Sequence, residues 1–284
     1  MSSQEKIQCS VPLLTLNSAV HLAQCLESVR DFGDVFLLDG NSTDRTLDIA
    51  RRHSIPVYKQ QDTDEPNVAI ASFTDMRLKA EKLSRCDWIL YLDSDEFISP
   101  ELADEIRLSL SSNDPKRIFI VHKIAIMGKR VVRHSFNTPT YVPHLYHRRS
   151  GVAWKPGKLV HEKLTIPKDA REVRLRGAIY SYMTPSYREA LTKDNYYLSL
   201  TRQKMIAPGQ AVAVRPTFTS LWVNFLRAGN ILCKSLAVYL RHGFKESLPP
   251  LHVWRYVRYH LVICTYCVRK LWAARARRGA RRTT

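Results

Sequence analysis

Two carboxylates one residue apart, Asp93 and Asp95, follow an apolar run in "WILYLDSDEF", residues 88–97. In an extended segment, residues i and i+2 point to the same side, so both carboxylates can aim at one point while Ser94 faces away. Carboxylate oxygens placed in this way are ligands for a hard divalent cation, Mg²⁺ or Mn²⁺. Such a cation would bind a diphosphate and neutralise the charge that builds on a departing phosphate.

The acidic cluster also has a plainer interpretation. It can be a solvated turn that caps the following helix, with Glu96 and Glu101 near the helix start. The position of the cluster at the end of an apolar strand favours the cation site instead. On that interpretation Glu96 is a helix-start residue or supports the two ligands without being one itself.

Apolar runs and helical spacings alternate along the first part of the chain. Strands are predicted at 11–17, 34–39, 55–60 and 88–93. Helices are predicted at 18–30 with Ser18 as N-cap, within "GNSTDRTLDIARRH", at 68–84 and at about 100–111. Continuous apolar strands that alternate with helices form parallel sheets covered on both faces. We therefore expect an α/β fold: a Rossmann-like, mostly parallel sheet with helices on both faces.

Polar residues end three of these strands, and in open parallel sheets ligands bind beyond the carboxyl ends of the strands. Asn17, Asp39 and Asp93 would meet at that edge. Asp39 can accept hydrogen bonds from a base or a ribose. Gly40 permits a tight turn. The helix that follows can be capped by Ser42 or Thr43, and N-capping is expected for Ser42 and Asp44.

The chain changes character after about residue 112. "RIFIVHKIAIMGKRVVRHSF" predicts two strands joined near Gly128, and a helix is expected from about Pro185. A boundary is predicted at 207–216. Two amphipathic helices at 217–243 and 251–272 follow, rich in Trp and Tyr, with Arg and Lys on their opposite faces.

Four segments carry a resemblance to a known family. "VPLLTLN", "FLLDGNSTDRT", "WILYLDSDE" and the later "VHEKL" follow, in order, the pattern of family 2 glycosyltransferases with the GT-A fold. Within that group the chain resembles the lipopolysaccharide core glycosyltransferases, which pair a DxDE strand end with a downstream VHE and a basic C-terminal helical region. The resemblance covers about residues 9–205, and it does not specify the sugar.

The resemblance implies roles for individual residues. Asp39 would contact the nucleotide, and Asp93 and Asp95 would hold the metal and the diphosphate. Arg77 becomes a candidate for the phosphates, although Leu78 stands where related sequences often have Asn. His144 occupies a position where the related pattern often has Arg, which puts a direct diphosphate contact there in doubt.

The VHE segment supplies two further candidates. Inverting sugar transfer needs a base that takes a proton from the acceptor hydroxyl, and a carboxylate close to that hydroxyl can do this. Glu162 is the predicted base. His161 is predicted to be a third metal ligand or to orient the diphosphate. The alternatives are a buried hydrogen-bonded histidine for His161 and a surface salt bridge for Glu162.

The charge and composition limit which partners the protein can have. The 284 residues carry a net charge of +18, with 45% hydrophobic residues, and such a charge implies a polyanionic partner. Residues 247–284 hold nine Lys or Arg and no Asp or Glu. Basic amphipathic helices with Trp and Tyr favour an anionic membrane surface and fit a lipid-linked acceptor. The alternative is a helical appendage packed on the catalytic domain, with a solvated basic tail.

Other features concern the compartment. The N-terminal "MSSQEKIQCS" lacks the apolar core of a signal peptide, and no uncharged apolar run approaches the ~18 residues that span a bilayer. The six scattered cysteines predict reduced thiols, with Cys264 and Cys267 as buried helix cysteines rather than a zinc site. We expect a cytoplasmic protein, peripheral on the inner face of the membrane.

Together these expectations define one hypothesis and two rivals. Residues 1–212 would form a GT-A glycosyltransferase domain, and residues 213–284 a basic amphipathic membrane-associating region. The enzyme would be metal-dependent and inverting, and would move a sugar from a nucleotide-sugar to a lipid-linked saccharide, with no nucleic-acid partner. One rival is a polyprenyl-phosphate sugar synthase, whose acceptor needs no base. The other, a basic nucleic-acid-binding protein, lacks a recognisable binding motif.

Overall fold

The computed structural model describes residues 5–154, 164–184, 186–205 and 214–280. The strands are β1 (Ile7–Thr15), β2 (Phe32–Asp39), β3 (Val57–Lys59), β4 (Trp88–Leu90), β5 (Leu92–Asp93), β6 (Glu96–Ile98), β7 (Arg117–Met127), β8 (Arg130–Val132), β9 (Thr140–His147), β10 (Ala153–Trp154), β11 (Leu164–Thr165) and β12 (Arg171–Met183). The helices are α1 (Leu22–Ser28), α2 (Thr46–Arg52), α3 (Phe73–Leu83), α4 (Pro100–Leu110), α5 (Tyr187–Met205), α6 (Val214–His242) and α7 (Pro250–Ala280).

Within the described residues, one large sheet has the strand order β3-β2-β1-β4-β9-β7-β12-β6, and β5 also pairs with β1. The strands β1 to β5 pair in parallel with one another. β9 joins β4 and β7 antiparallel, and β6 joins β12 antiparallel. The predicted parallel, Rossmann-like part is therefore present, and antiparallel strands extend it on one side.

Helices cover both faces of the parallel strands, as predicted. One cluster of buried apolar residues joins the strands to α1, α2 and α4, and it includes Leu13, Leu26 and Leu102. A second cluster on the opposite face joins Leu14 to Ala80 of α3. Consecutive residues of β1 thus contribute to different clusters, because side chains alternate across a strand. Burial on both faces explains why β1 and β2 are almost continuously apolar.

Two local predictions need correction. Ser18 does not cap the first helix: α1 begins at Leu22 with His21 in the N-cap position, and Ser18 Oγ accepts from the Leu16 backbone N–H at 3.3 Å. The predicted strand 88–93 is two strands, with Tyr91 between them; the Tyr91 backbone N–H donates to the carbonyl of His144 at 2.7 Å. This interruption separates β5, the strand that carries Asp93, from β4.

The chain divides into two compact units. One comprises Met1–Ala125 and Thr140–Tyr182, and the other comprises Ile126–Pro139 and Met183–Thr284. In the second unit α7 packs against α5 and α6, and Arg255 pairs with Asp194 at 2.6 Å. The predicted domain division at 212/213 falls at residues outside the described ones and stays a prediction.

Two features of the second unit bear on the sequence predictions. Cys264 and Cys267 are buried free cysteines on α7, as their apolar surroundings predicted. Across the described helices, none combines the length and the apolar character needed to cross a lipid bilayer.

Gly40 follows β2 directly and packs against the chain near Val68. The Val68 backbone N–H donates to the Gly40 carbonyl at 2.8 Å, and a Cβ added to Gly40 would lie 2.4 Å from the Val68 carbonyl oxygen. We expect Gly40→Ala to lower the free energy of unfolding by about 1–3 kcal/mol, measured by urea denaturation. Gly229→Ala is the control, since a Cβ on that α6 residue meets nothing within 4 Å and should be neutral or stabilising. Equal stability of the two variants would contradict the packing argument.

Candidate active site

The carboxylate of Asp39 ends β2 and is held by three hydrogen bonds. Its Oδ1 accepts from Thr15 Oγ1 at 2.8 Å and from Ser42 Oγ at 2.6 Å, and its Oδ2 accepts from the Ser42 backbone N–H at 2.7 Å. Asp39 is only 3% exposed. Ser42 therefore binds Asp39 instead of capping α2, whose N-cap position belongs to Arg45. These bonds fix the orientation of the carboxylate and of the turn after it.

A cavity of about 410 Å³ lies beside Asp39. Its other lining residues come from the turn after β2, from α2 and its C-terminal loop, and from β3: Asn41, Leu47, Arg51, Ile55, Val57, Tyr58 and Lys59. This volume is within the range of small-molecule sites. Tyr58 offers an aromatic face, whereas Arg51 is paired with Asp48 at 2.9 Å and Lys59 with Asp64 at 2.5 Å, so the lining suits a ligand that carries a flat ring.

Asn17 lies at the same edge of the sheet and ties two loops together. Its backbone has a φ of 50°, in the left-handed region. Its side-chain Oδ1 accepts from the backbone N–H of Thr43 at 3.0 Å, and its Nδ2 donates to Asn67 Oδ1 at 2.9 Å. The amide thus supports the loops around the Asp39 turn. Its predicted contact with a nucleotide-sugar stays a prediction.

Arg77 and Asp93 form an ion pair at the other side of the end of β1. Arg77 lies on α3, is 4% exposed, and places Nη2 2.6 Å from Asp93 Oδ1. The guanidinium carbon also lies 3.7 Å from the centroid of the Tyr91 ring. The sequence predicted both residues at the phosphate end of the site, and the structure brings them into direct contact.

An aromatic stack supports this ion pair from below. The Tyr91 ring stacks on His144 with centroids 5.2 Å apart and meets Trp154 edge-on at 5.2 Å. His144 is buried, and its Nδ1 lies 2.6 Å from the Tyr91 carbonyl oxygen. Burial lowers the pKa of His144 below its usual value, so the ring is neutral at pH 7. His144 is thus part of the packing under Arg77, consistent with the doubt about a direct phosphate contact.

Glu96 holds the acidic loop, residues 93–96, in place from the protein interior. It is 1% exposed, its Oε2 accepts from the Asp93 backbone N–H at 3.1 Å, and it forms an ion pair with Lys123 of β7. Glu96 lies on β6 and not at a helix start, since α4 begins at Pro100 with Ser99 as its N-cap. The interpretation that Glu96 supports the neighbouring carboxylates fits these contacts.

Lys123 is a site residue that the sequence reasoning missed. It is the lone cation within the apolar run "IFIVHKIAIM", and that isolation is the one feature that could have identified it. Burial works to lower the pKa of Lys123, but the charges of Glu96, Asp93 and Asp95 raise it above its usual value. Lys123 is therefore a fixed positive charge beneath the acidic loop.

The two predicted ligands differ in their protonation behaviour. Burial works to raise the pKa of Asp93, but Arg77 and Lys123 hold it below its usual value. Asp95 is exposed, yet the surrounding protein removes part of its solvent, and the negative charges of Asp93 and Glu96 act in the same direction. Together they raise the pKa of Asp95 to about 6. Asp95 therefore carries the uncompensated charge of the cluster.

Comparison with known proteins identifies the family. The model of "Glycosyl transferase family 2" matches residues 10–161, which is more than half of the chain. The chain belongs to glycosyl transferase family 2. An uncharacterized glycosyltransferase of Rickettsia felis is 27% identical over 230 residues, which cover 78% of each chain. A second, from Rickettsia conorii, is 26% identical over 233 residues and 79% of each chain.

Solved structures of low similarity were also found. The structure of Staphylococcus aureus TarS residues 1–349 in complex with UDP is 14% identical, with a TM-score of 0.47, and the match covers 91% of this chain and 90% of that one. Glucosyl-3-phosphoglycerate synthase from Mycobacterium tuberculosis, in complex with Mn²⁺ and UDP-glucose, is 17% identical with a TM-score of 0.33. That match covers 42% of this chain and 44% of the other.

The family membership confirms two predictions. The α/β GT-A fold and the enzyme class, a glycosyltransferase that uses a nucleotide-sugar donor, are those of family 2. The narrower resemblance to lipopolysaccharide core enzymes stays a prediction. His161 and Glu162 lie outside the described residues, so their predicted roles do too.

Asp93 and Asp95 are the candidate residues for a divalent cation in the glycosyltransferase site. Among the residues that the structure describes, no group of three His, Cys, Asp or Glu is gathered for a metal. Asp93 and Asp95 nevertheless fit such an ion, because the raised pKa of Asp95 reports a repulsion that a cation would remove. Two carboxylates would then hold the ion, and the remaining positions would fall to donor oxygens, water or His161.

The pKa of Asp95 predicts a pH-dependent cost to stability. A carboxylate whose pKa is higher in the folded state than in the unfolded chain lowers stability as the pH rises through about 6. In EDTA at about pH 7.5 we expect Asp95→Asn to unfold at a higher temperature than wild type, and the difference to vanish near pH 4. Asp104→Asn, an exposed acid on α4, is the control and should change little at either pH. A destabilised Asp95→Asn at neutral pH would refute the repulsion.

Proposed function

We propose that this glycosyltransferase is metal-dependent and inverting, and that it transfers a sugar from a nucleotide-sugar to a lipid-linked saccharide. One observation carries the proposal. Asp39 is the partner of Thr15 across β1 and β2, and Asp93 is the partner of Leu14 across β1 and β5. The two acids therefore lie on either side of the end of β1, about 10 Å apart at two strand spacings. One nucleotide can reach both positions.

The donor would lie across this edge of the sheet. Its nucleoside would occupy the cavity beside Asp39, with Asn17 holding the adjacent loops in place. Its diphosphate would lie at the Asp93 end, where Arg77 supplies a buried positive charge. A divalent cation, Mg²⁺ or Mn²⁺, held by Asp93 and Asp95, would neutralise the charge on the departing diphosphate.

The transfer itself is a single displacement. The acceptor hydroxyl oxygen forms a bond to the anomeric carbon while the bond from that carbon to the diphosphate oxygen breaks. The nucleoside diphosphate leaves with that electron pair, and the proton of the hydroxyl passes to a base. Glu162 is the proposed base, and His161 is proposed to complete the metal coordination or orient the diphosphate.

The charge of the C-terminal region supports the proposed acceptor and location. Each Lys or Arg near an anionic bilayer contributes roughly 1 kcal/mol, so the basic residues after 247 favour peripheral binding at an anionic membrane surface. An enzyme held on the inner face of the membrane would meet lipid-linked saccharides there. A role in lipopolysaccharide core assembly belongs to the same proposal.

Metal binding through Asp95 can be measured by thermal shift. We expect Mn²⁺ with a matching nucleoside diphosphate, found from a panel, to raise the melting temperature of the wild type, because a ligand of the native state stabilises it. Asp95→Asn should lose most of this shift, while Asp104→Asn should keep it. A full shift in Asp95→Asn would exclude Asp95 as a ligand.

The role of Glu162 separates the two acceptor classes. We expect Glu162→Gln to lower kcat for a hydroxyl acceptor by about 10²–10⁴-fold, with donor binding preserved, because a general base contributes about that much. Glu172→Gln, an exposed acid on β12, is the matched control. Unchanged turnover in Glu162→Gln would favour a phosphate acceptor, as in a polyprenyl-phosphate sugar synthase.

A further inference from the structure

The side chains of α6 fall into three lines along the helix. The buried line consists of small or polar residues with one exception: Thr217, Asn224, Ala228, Ile231 and Ser235. The exposed line, which we call the apolar stripe, consists of large residues: Phe218, Trp222, Phe225, Leu232, Leu236 and Leu240. A third line of exposed cations repeats every seven residues: Arg227, Lys234 and Arg241.

The buried line faces α7. His260 Nδ1 of α7 lies 2.8 Å from Asn224 Oδ1, and Cys264 Sγ lies 3.6 Å from the Leu221 carbonyl oxygen. Small side chains in such an interface let two helix backbones approach closely. The partner helix is therefore met by the small residues of α6, and the large apolar residues point away from it.

This arrangement is the reverse of that in an ordinary surface helix, which turns its large apolar residues to the core. The stripe from Phe218 to Leu240 spans 22 residue steps, or about 33 Å. Phe218 is 60% exposed, Trp222 is 55% exposed and Leu240 is 80% exposed. Continuous apolar surface of this extent marks an interaction site.

We propose that the apolar stripe lies in the plane of an anionic lipid bilayer, with the line of cations on the opposite, headgroup-facing side of the helix. On a helical wheel the cations stand roughly 140–180° from the middle of the stripe at Phe218 and Leu236, on the polar side of the helix. An amphipathic helix in the plane of a bilayer turns that side to the headgroups and water when its apolar stripe enters the acyl boundary. The inference rests on the proposed lipid-linked acceptor and specifies the surface that reaches the membrane.

The charge also argues against a second copy of the chain as the occupant. The chain carries +18, so a second copy would bring the same large positive charge to a two-fold contact through the stripe. An anionic bilayer offers both the apolar depth and the opposite charge. Dimerisation through the stripe is nevertheless an outcome that the experiment must detect.

The test is co-sedimentation of the full-length protein with phosphatidylcholine vesicles, with and without phosphatidylglycerol. We expect binding to the anionic vesicles, with a blue shift of Trp fluorescence. The double variant Trp222→Gln/Phe225→Gln should bind about tenfold or more weakly, because apolar area no longer leaves water. Leu108→Gln is the control, since Leu108 is 75% exposed on α4, in the other unit. Wild-type binding by the stripe variant would overturn the inference.

The cations are tested separately. Arg227→Gln/Lys234→Gln should lower the partition into anionic vesicles by about 30-fold at low salt, from roughly 1 kcal/mol for each residue, and by less at high salt. Unchanged or salt-independent binding of this variant would overturn the role of the cation line. Urea denaturation should show that both variants retain wild-type stability, because all four side chains are exposed.

Two further measurements separate the possible failures. Sedimentation velocity of wild type and the stripe variant should show the same monomer; a dimer lost in the variant would identify the stripe as a subunit interface and overturn the membrane assignment. Donor hydrolysis without vesicles should be equal in wild type and the stripe variant. Absent hydrolysis in both would count against the proposed function alone, since vesicle binding is measured without a donor.

Discussion

Three carboxylates, Asp93, Asp95 and Glu96, lie within four residues at the turn between β5 and β6, and their mutual repulsion constrains the elements packed around that turn. Two cations partly neutralise this negative charge: Arg77 forms an ion pair with Asp93, and Lys123 forms one with Glu96. Breaking a buried pair leaves a charge without compensation, which costs more than the pair itself contributes. Because α3 carries Arg77 and β7 carries Lys123, these ion pairs fix both elements beside the acidic loop.

The three carboxylates are neutralised to different degrees, and this difference gives each of them a different role in the site. Glu96 is inside the protein, and its bond to the Asp93 backbone N–H fixes the loop. Asp93 has a lowered pKa and is ionised, whereas Asp95 faces outward with a pKa of about 6. Stability would be higher without the Asp95 charge, and a group kept at such a cost is a candidate for function. The Asp95 carboxylate thus lowers the stability of the fold while it provides a group that can bind a cation.

Much of the fold and of this edge could be predicted from the sequence, because apolar strands and their polar ends are local patterns. Asp39 and Asp93 end β2 and β5, as the apolar runs before them predicted. Lys123 was not found, since its partner Glu96 lies on a distant strand and no local spacing joins them. The role of Ser42 was not predicted either: its hydroxyl donates a hydrogen bond to the buried carboxylate of Asp39 and does not cap a helix.

The helix α6 shows a different limit of sequence patterns. Periodicity establishes that a helix has two faces, but it does not tell which face is turned inward. In α6 the small residues pack against α7, and the large apolar residues are exposed to solvent. The usual assumption, that the apolar face packs on the core, would have given the opposite orientation.

The charge balance at the acidic loop also bears on how a cation would enter. Arg77 and Lys123 leave one net negative charge on the three carboxylates, and a single charge near the surface attracts a bare divalent ion only modestly. A diphosphate brings further charge and oxygen ligands of its own. The cation would therefore bind most strongly together with the donor, and Arg77, at 4% exposure, would discourage the empty site from holding a metal. A site that is nearly neutral when empty and completed by its donor would couple metal binding to substrate recognition.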